Sequence, residues 1–182
     1  MPTPELLPAL KRALEADGFP PAPAVRPVAV LGVGSELHAD DAAGVRVAAA
    51  FARDALPGVH AIDGGTAPEN CTAEVRRIAP SHLIIVDAAD LGEGPGAVRV
   101  IPSADIGGTS FGTHSLPLSV VADYLRTEVG CRVIVIGIQP GSLAFGQEVS
   151  AEVADAVAEV AQALRACLAA PFSASGPPLR PL

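Results

Sequence analysis

Four side chains that can bind a metal ion or transfer a proton stand where predicted strands give way to loops. They are Asp41, Asp63, Asp87 and His114, and each follows a different apolar run. The carboxyl ends of neighbouring parallel strands share one edge of a sheet, and ligands of open α/β folds bind at that edge. Two or three carboxylates and an imidazole suit a borderline divalent cation such as nickel or zinc, with positions left for water or substrate. The spacing therefore predicts one polar site and leaves the choice of metal open.

Each of these residues also has a purely structural interpretation. Asp41 and its neighbour Asp40 come where an alanine-rich helical pattern begins, so they can cap that helix and interact with its dipole. Asp63 precedes two glycines, as turn aspartates do, and a single histidine such as His114 is more often structural than a ligand. Asp87 is harder to explain in this way, because it directly follows a buried apolar run and a buried charge needs a partner. The joint arrangement favours a site more strongly than any single residue does.

The loop after the first strand is unsuited to a phosphate group. A dinucleotide-binding fingerprint needs a third glycine at the position of Leu37, and no Gly-Lys-Ser/Thr follows Gly34. Asp40 and Asp41 would also repel a phosphate at the helix start, where backbone N–H groups otherwise attract one. These residues favour a cation over an anion.

The elements that must position these side chains alternate between strand and helix. This order predicts a three-layer α/β/α sandwich around a mostly parallel five-stranded sheet, and the short turn between the third and fourth strands permits one antiparallel strand. An N-terminal amphipathic helix (1–17), a Pro-rich linker (18–27), an α/β domain (28–170) and a flexible tail (171–182) divide the chain. The predicted strands cover 28–31, 59–62, 83–86, 97–101 and 132–138, and the predicted helices cover 3–17, 41–56, a segment ending near 78, a segment ending near 128, and 151–168.

Composition excludes several classes of function. The net charge of −8, a single lysine and 3% aromatic residues argue against a nucleic-acid surface. Hydrophobic residues make up 49% of the chain, yet the longest apolar runs are far shorter than the roughly 18 residues of a membrane span. Three cysteines without paired spacing argue against a disulfide framework, and no secretory signal is recognisable. We therefore expect a protein of the cytoplasm that does not insert into a membrane.

Five segments, in order along residues 28–168, resemble the [NiFe]-hydrogenase maturation endopeptidases, above all the subgroup that serves the hydrogenase of formate hydrogenlyase. The DGGTAPEN and GIQP segments make the resemblance specific. The segments are Leu31-Gly32-Val33-Gly34 with Asp40-Asp41, Ile62 to Asn70, Ile85-Val86-Asp87-Ala88, Thr113 to Leu118, and Gly137-Ile138-Gln139-Pro140.

The resemblance implies a cytoplasmic aspartyl-type endopeptidase that activates a hydrogenase. Such an enzyme removes the C-terminal extension of the hydrogenase large-subunit precursor after nickel has been inserted. The metal would belong to the substrate, zinc or cadmium could stand in for nickel, and no nucleotide would be needed. Carried over by position, the metal contacts are Asp41, Asp87 and His114, the catalytic acids are Asp63 and Asp41, and the substrate-binding residues are Gly64, Gly65 and Asn70.

Two positions depart from the family pattern, and two other functions remain open. Ser35 stands where the family usually has asparagine, and Ala39 stands where it usually has glycine, so the loop conformation is in question. One alternative is a nickel-binding maturation chaperone that recognises the precursor without cutting it. The other is a Rossmann-like nucleotide-binding enzyme, against which the missing third glycine counts.

Overall fold

A twisted sheet with helices on both faces forms the body of the protein. The computed structural model describes residues 5–16, 27–101, 110–111 and 117–169. The strands are β1 (Val28–Val33), β2 (Val59–Gly65), β3 (His82–Asp90), β4 (Val98–Ile101), β5 (Ser110–Phe111) and β6 (Arg132–Ile138). The helices are α1 (Leu6–Ala16), α2 (Ala43–Arg53), α3 (Thr72–Ile78), α4 (Leu118–Val129) and α5 (Ala151–Leu168), and 3-10 turns at Ala39–Ala42 and Pro68–Cys71 precede α2 and α3.

The sheet confirms the predicted α/β class. Its main path of five strands runs β2-β1-β3-β6-β4 in the described residues, with β4 antiparallel to its neighbour and the other pairs parallel. The antiparallel strand pairs with β6 and not with β3, the strand that precedes it in the chain, because β6 lies between them. The short β5, which the pattern did not predict, pairs antiparallel with the end of β3.

Period-two alternation in the buried strands supplies a core on each face of the sheet. Val30, Ile84 and Ile136 face the layer of α1, α2 and α5, whereas Leu31, Ile85 and Val135 face α3 and α4. α1 buries its leucines in the first of these cores. No described helix has the length and apolar character that would let it cross a membrane.

Several boundaries differ from the predicted ones. β2 extends to Gly65 and β3 to Asp90, so Asp63 and Asp87 lie inside the last part of their strands and not after them. The predicted helix 41–56 begins as a 3-10 turn and ends at Arg53, three residues before Leu56, which precedes a proline and is therefore disfavoured in a helix. The linker up to residue 26, the tail 171–182, His114 and the ends of the predicted first helix lie outside the described residues.

Candidate active site

The strand register places the predicted acids at one level of the sheet. Gly32 of β1 pairs with Asp63 of β2 on one side and with Val86 of β3 on the other. Asp87 follows Val86 and pairs with Gly137 of β6. The carboxyl ends of four neighbouring strands therefore meet in one row, as an open α/β fold requires of a ligand-binding edge.

Close packing of α2 brings the turn that carries Asp41 against this row. A side chain at Gly44 would lie 2.1 Å from the carbonyl oxygen of Val86 and 2.3 Å from that of Val33, so only glycine lets the helix start approach β1 and β3 so closely. The 3-10 turn before α2 contacts β3 directly. Asp41 thus lies beside the strand of Asp87, and both side chains are buried, with Asp41 only 4% exposed.

The adjacent Asp40 has a structural role that sequence reasoning missed. Its Oδ2 accepts hydrogen bonds from the amides of Gly141 (2.8 Å) and Ser142 (3.0 Å), and its Oδ1 accepts one from the amide of Ser150 (2.7 Å). Ser150 caps α5, so the carboxylate also meets the positive end of an 18-residue helix. Asp40 therefore ties the β1–α2 loop to the β6–α5 loop, about a hundred residues away in the chain, a partnership for which the sequence holds no local signal.

Hydrogen bonding dominates the ionisation of Asp40. Burial by itself would raise the pKa of this carboxyl, but the amides of Ser150, Ser142 and Gly141 and the Ser150 hydroxyl favour its charged form and bring the pKa below the usual 3.8. Asp40 is therefore a charged carboxylate at neutral pH, and its lone pairs are engaged by the fold.

Asp41 has the opposite environment. Within the described part of the chain, no hydrogen-bond donor reaches its carboxylate, whereas its backbone N–H donates to the carbonyl of His38 (2.9 Å). Helix capping does not account for either aspartate, because the N-cap positions of the 3-10 turn and of α2 are His38 and Ala42, and neither makes a side-chain cap. Of this acidic pair, Asp41 is the one whose carboxylate remains available to a ligand.

Asp63 stands on the other side of β1 and is exposed. Its Oδ1 accepts a hydrogen bond from the amide of Gly65 (3.0 Å), which is the turn geometry that the two following glycines predict. This single bond leaves most of the carboxylate open to solvent. The local turn role and an exposed carboxylate thus coexist in the same residue.

The three residues expected to bind substrate have different surroundings. Gly64 is buried, and a side chain there would lie 2.8 Å from the carbonyl oxygen of Gly32, so its place is set by strand packing. Gly65 has a positive φ of 50° and open space around it, and its carbonyl accepts a hydrogen bond from Gly34 (2.8 Å). Asn70 is exposed in the 3-10 turn after β2. Gly65 and Asn70 are thus accessible, whereas Gly64 is not.

The third predicted metal contact, His114, lies outside the described residues. Within residues 5–16, 27–101, 110–111 and 117–169, no three His, Cys, Asp or Glu side chains are grouped so that they could hold a metal ion. Of the three expected metal contacts, Asp41 and Asp87 are the two that the structure describes, and the 3-10 turn of Asp41 contacts the strand of Asp87.

Cys71 is a packed thiol and not an activated one. It ends the 3-10 turn and occupies the N-cap position of α3, and its Sγ lies 3.6 Å from the carbonyl oxygen of Asp63, to which the thiol can donate. Burial, and then the negative charges of Glu74, Asp63 and Glu69, raise the pKa of this thiol. In the same region of the described chain, Oε2 of Glu69 is buried without a hydrogen-bond partner, a feature that the sequence does not reveal.

The loop that departs from the family pattern keeps a glycine-like conformation. Ala39 has a φ of +44°, in the left-handed region that favours glycine, and it is buried. Ser35 accepts a hydrogen bond from the amide of Leu37 (3.2 Å), and its Oγ also lies 3.1 Å from Nδ1 of His38. Alanine at 39 is therefore held in a strained left-handed conformation, while its buried methyl group forms part of the core.

Backbone strain and methyl burial at Ala39 have opposite effects on stability, and together they predict the effect of placing glycine at this position. Relief of left-handed strain by Ala39→Gly gains about 1 kcal/mol, but removing one buried methyl costs about 0.8 kcal/mol. The free energy of unfolding is therefore expected to change by less than about 0.5 kcal/mol.

Ala79→Gly is the comparison variant. Ala79 has a φ of +49° and is exposed, so its replacement loses no burial and should raise the free energy of unfolding by about 0.5–1 kcal/mol. Urea unfolding measures both, and a larger gain at 39 than at 79 would contradict this balance.

Comparison with known proteins gives a consistent result. Residues 45–166 match the family model described as hydrogenase maturation protease. The chain is 38% identical over 136 residues to the hydrogenase 3 maturation protease of Escherichia coli K12, covering 74% of this chain and 86% of that protein. It is 33% identical over 124 residues to a putative hydrogenase maturation protease of Methanocaldococcus jannaschii, covering 64% and 73%.

Solved structures share the fold. The crystal structure of a [NiFe] hydrogenase maturation protease from Thermococcus kodakarensis superposes with a TM-score of 0.76 at 25% identity, covering 88% of this chain and 98% of that one. The solution structure of an endopeptidase from Escherichia coli gives a TM-score of 0.68 at 37% identity, covering 76% and 88%.

Proposed function

This chain belongs to the hydrogenase maturation protease family, a family of endopeptidases, and we propose that it removes the C-terminal extension of a [NiFe]-hydrogenase large-subunit precursor after nickel insertion. The family membership confirms the resemblance that the sequence segments carry. A hydrogenase large-subunit precursor is the substrate that such membership implies. What we propose beyond family membership is that the C-terminal extension is removed, and that this cleavage follows nickel insertion.

The observation that supports a metal-checking role is the contrast between the two adjacent aspartates. Asp40 uses both carboxylate oxygens in three hydrogen bonds to amides, whereas the carboxylate of Asp41 receives none from the described chain. A buried carboxylate without donors is costly unless a cation or another donor approaches it. Nickel in the precursor is a cation that would meet this requirement when the substrate binds.

In this proposal the nickel ion is part of the substrate and the protein supplies a few ligands to it. Asp41, Asp87 and His114 would contact the metal, and their oxygen and imidazole donors suit nickel, with zinc or cadmium as possible replacements. Only a precursor that already carries the metal would then be held in register at the carboxyl edge. A nickel-free precursor would bring no cation to the buried Asp41 carboxylate, which accepts no hydrogen bond from the described residues.

Asp63 is proposed to act in the cleavage step. Its exposed carboxylate can accept a proton from the water that attacks the peptide carbonyl. Gly65 and Asn70, which are accessible beside it, would hold the substrate backbone, while Gly64 keeps this segment packed on β1. The reaction is proposed to occur in the cytoplasm, in keeping with three cysteines that show no paired spacing in the sequence.

The test uses one precursor in two states. The purified protein is incubated with the nickel-loaded precursor and, separately, with the nickel-free precursor, and the precursor mass is followed by mass spectrometry. Mass loss from the loaded form alone is expected. Equal cleavage of both forms would overturn the metal requirement, and no cleavage of either would overturn the protease assignment for that substrate.

The variant Asp63→Asn separates cleavage from binding in the same assay. The variant should retain affinity for the loaded precursor and lose cleavage, because asparagine cannot accept the proton. Unchanged cleavage by this variant would remove Asp63 from the mechanism.

A further inference from the structure

Two loops beside the candidate site present exposed apolar side chains. Leu37, in the loop after β1, is 62% exposed, and Leu143 and Phe145, in the loop after β6, are 44% and 72% exposed. We call these three residues the apolar lip. Large apolar side chains that share an exposed surface mark interaction sites more often than chance exposure does.

Contacts join the two halves of the lip into one surface. The amide of Gly146 donates a hydrogen bond to the carbonyl of Leu37 (2.8 Å). The ring of His38 meets that of Phe145 edge to face, with centroids 5.4 Å apart. The Asp40 carboxylate also accepts hydrogen bonds from the amides of the second loop. The lip is therefore held in place before any partner arrives, which lowers the entropic cost of binding.

The lip is continuous with the predicted site. Leu37 lies four residues before Asp41 in the loop after β1, and the carbonyl of the intervening His38 accepts a hydrogen bond from the amide of Asp41 (2.9 Å). A polypeptide whose metal centre reaches Asp41 would have to pass over or beside the lip. The segment that binds the apolar lip is therefore expected to belong to the substrate itself.

The charged residues of the two loops indicate the charge of the segment that binds the lip. Residues 34–42 and 139–150, which form the two loops, contain no lysine or arginine, but they contain Glu36 and Glu148, which are both exposed. The whole chain carries a net charge of −8. An apolar surface bordered by carboxylates complements apolar side chains that have basic neighbours.

We infer that the apolar lip binds a segment of the hydrogenase precursor in which apolar side chains lie next to Lys or Arg, close to the scissile bond. This inference rests on the proposed function, and it assigns specificity to residues that touch neither the metal nor the bond that is cut. Truncating an apolar anchor at such a surface costs about tenfold or more in affinity.

The experiment compares Leu37→Ser/Phe145→Ser with a matched control, Val120→Ser, whose side chain is 51% exposed on α4. With the nickel-loaded precursor, the double variant is expected to raise KM at least about tenfold, keep kcat within about twofold, and keep the wild-type melting temperature. The control should match the wild type in all three. If the double variant cleaves with an unchanged KM, the apolar lip does not bind the precursor, and the proposed function stands. If the wild-type protein does not cleave the nickel-loaded precursor, the proposed function itself is wrong.

A second variant tests the charge of the occupant. Glu36→Gln/Glu148→Gln should raise KM several-fold at low salt and reduce the dependence of KM on salt concentration, because exposed charges are screened. An unchanged salt dependence would overturn the basic character of the segment.

Discussion

Cleavage of the nickel-loaded precursor is expected to fall at least about a hundredfold when Asp41 is replaced by asparagine. The substitution keeps the shape of the side chain and removes its charge. Because no donor in the described chain uses the Asp41 carboxylate, removing its charge breaks no hydrogen bond among the described residues, and the loss should be functional. Mass spectrometry of the precursor gives the rate, and thermal melting reports stability.

The matched control for this variant is Asp123→Asn. Asp123 lies on α4 and forms an exposed ion pair with Arg126 at 3.0 Å. It carries the same charge as Asp41 but lies outside the candidate site, so the control should cleave at the wild-type rate. If Asp41→Asn cleaves as fast as this control, Asp41 has no part in metal recognition or catalysis.

Asp40→Asn is expected to act on stability first. Asparagine replaces one acceptor oxygen by an NH2 group, which opposes the N–H groups that now donate to the carboxylate. Leaving buried donors without an acceptor costs about 1–3 kcal/mol each, and partial rearrangement gives an expected loss of about 2–3 kcal/mol in the free energy of unfolding. Cleavage should fall as well, because the two loops of the apolar lip lose their link.

The pH dependence of unfolding identifies the cause of this loss. Folding lowers the pKa of Asp40 below 3.8, so its stabilising contribution is complete above the unfolded pKa and is lost as pH falls through the folded pKa. The difference between wild type and Asp40→Asn in urea unfolding should therefore be constant above about pH 5 and narrow below about pH 4. A difference that stays the same from neutral to acid pH would mean that the charge of Asp40 does not stabilise the fold.

The exposed Asp54 supplies the control for stability. It pairs with Arg165 at 3.0 Å, but its side chain is 84% exposed, so Asp54→Asn should cost less than about 1 kcal/mol. A loss equal to that of Asp40→Asn would show that removal of any carboxylate is sufficient, whatever its hydrogen bonds.

The sequence by itself determined the elements whose signals are local. Apolar runs and helical periodicity predicted β6 and α5 at the bounds that the structure has, together with the parallel sheet and its antiparallel strand. The order of strands and helices also predicted Asp41, Asp63 and Asp87 at one edge, because parallel strands must end together. These features follow from side-chain periodicity and chain direction, which act over a few residues.

Other features depend on contacts between distant parts of the chain, and only the tertiary structure reveals them. It separated Asp40 from Asp41, two identical neighbours, because the partners of Asp40 lie about a hundred residues away. It placed β4 beside β6, and it showed Asp63 exposed while Asp87 is buried. It also joined Leu37 to Phe145 in one surface across distant loops. These contacts join residues that are far apart in the chain. They form only when the packed strands and helices bring their loops together, and the spacing of residues in the sequence does not show which loops will meet.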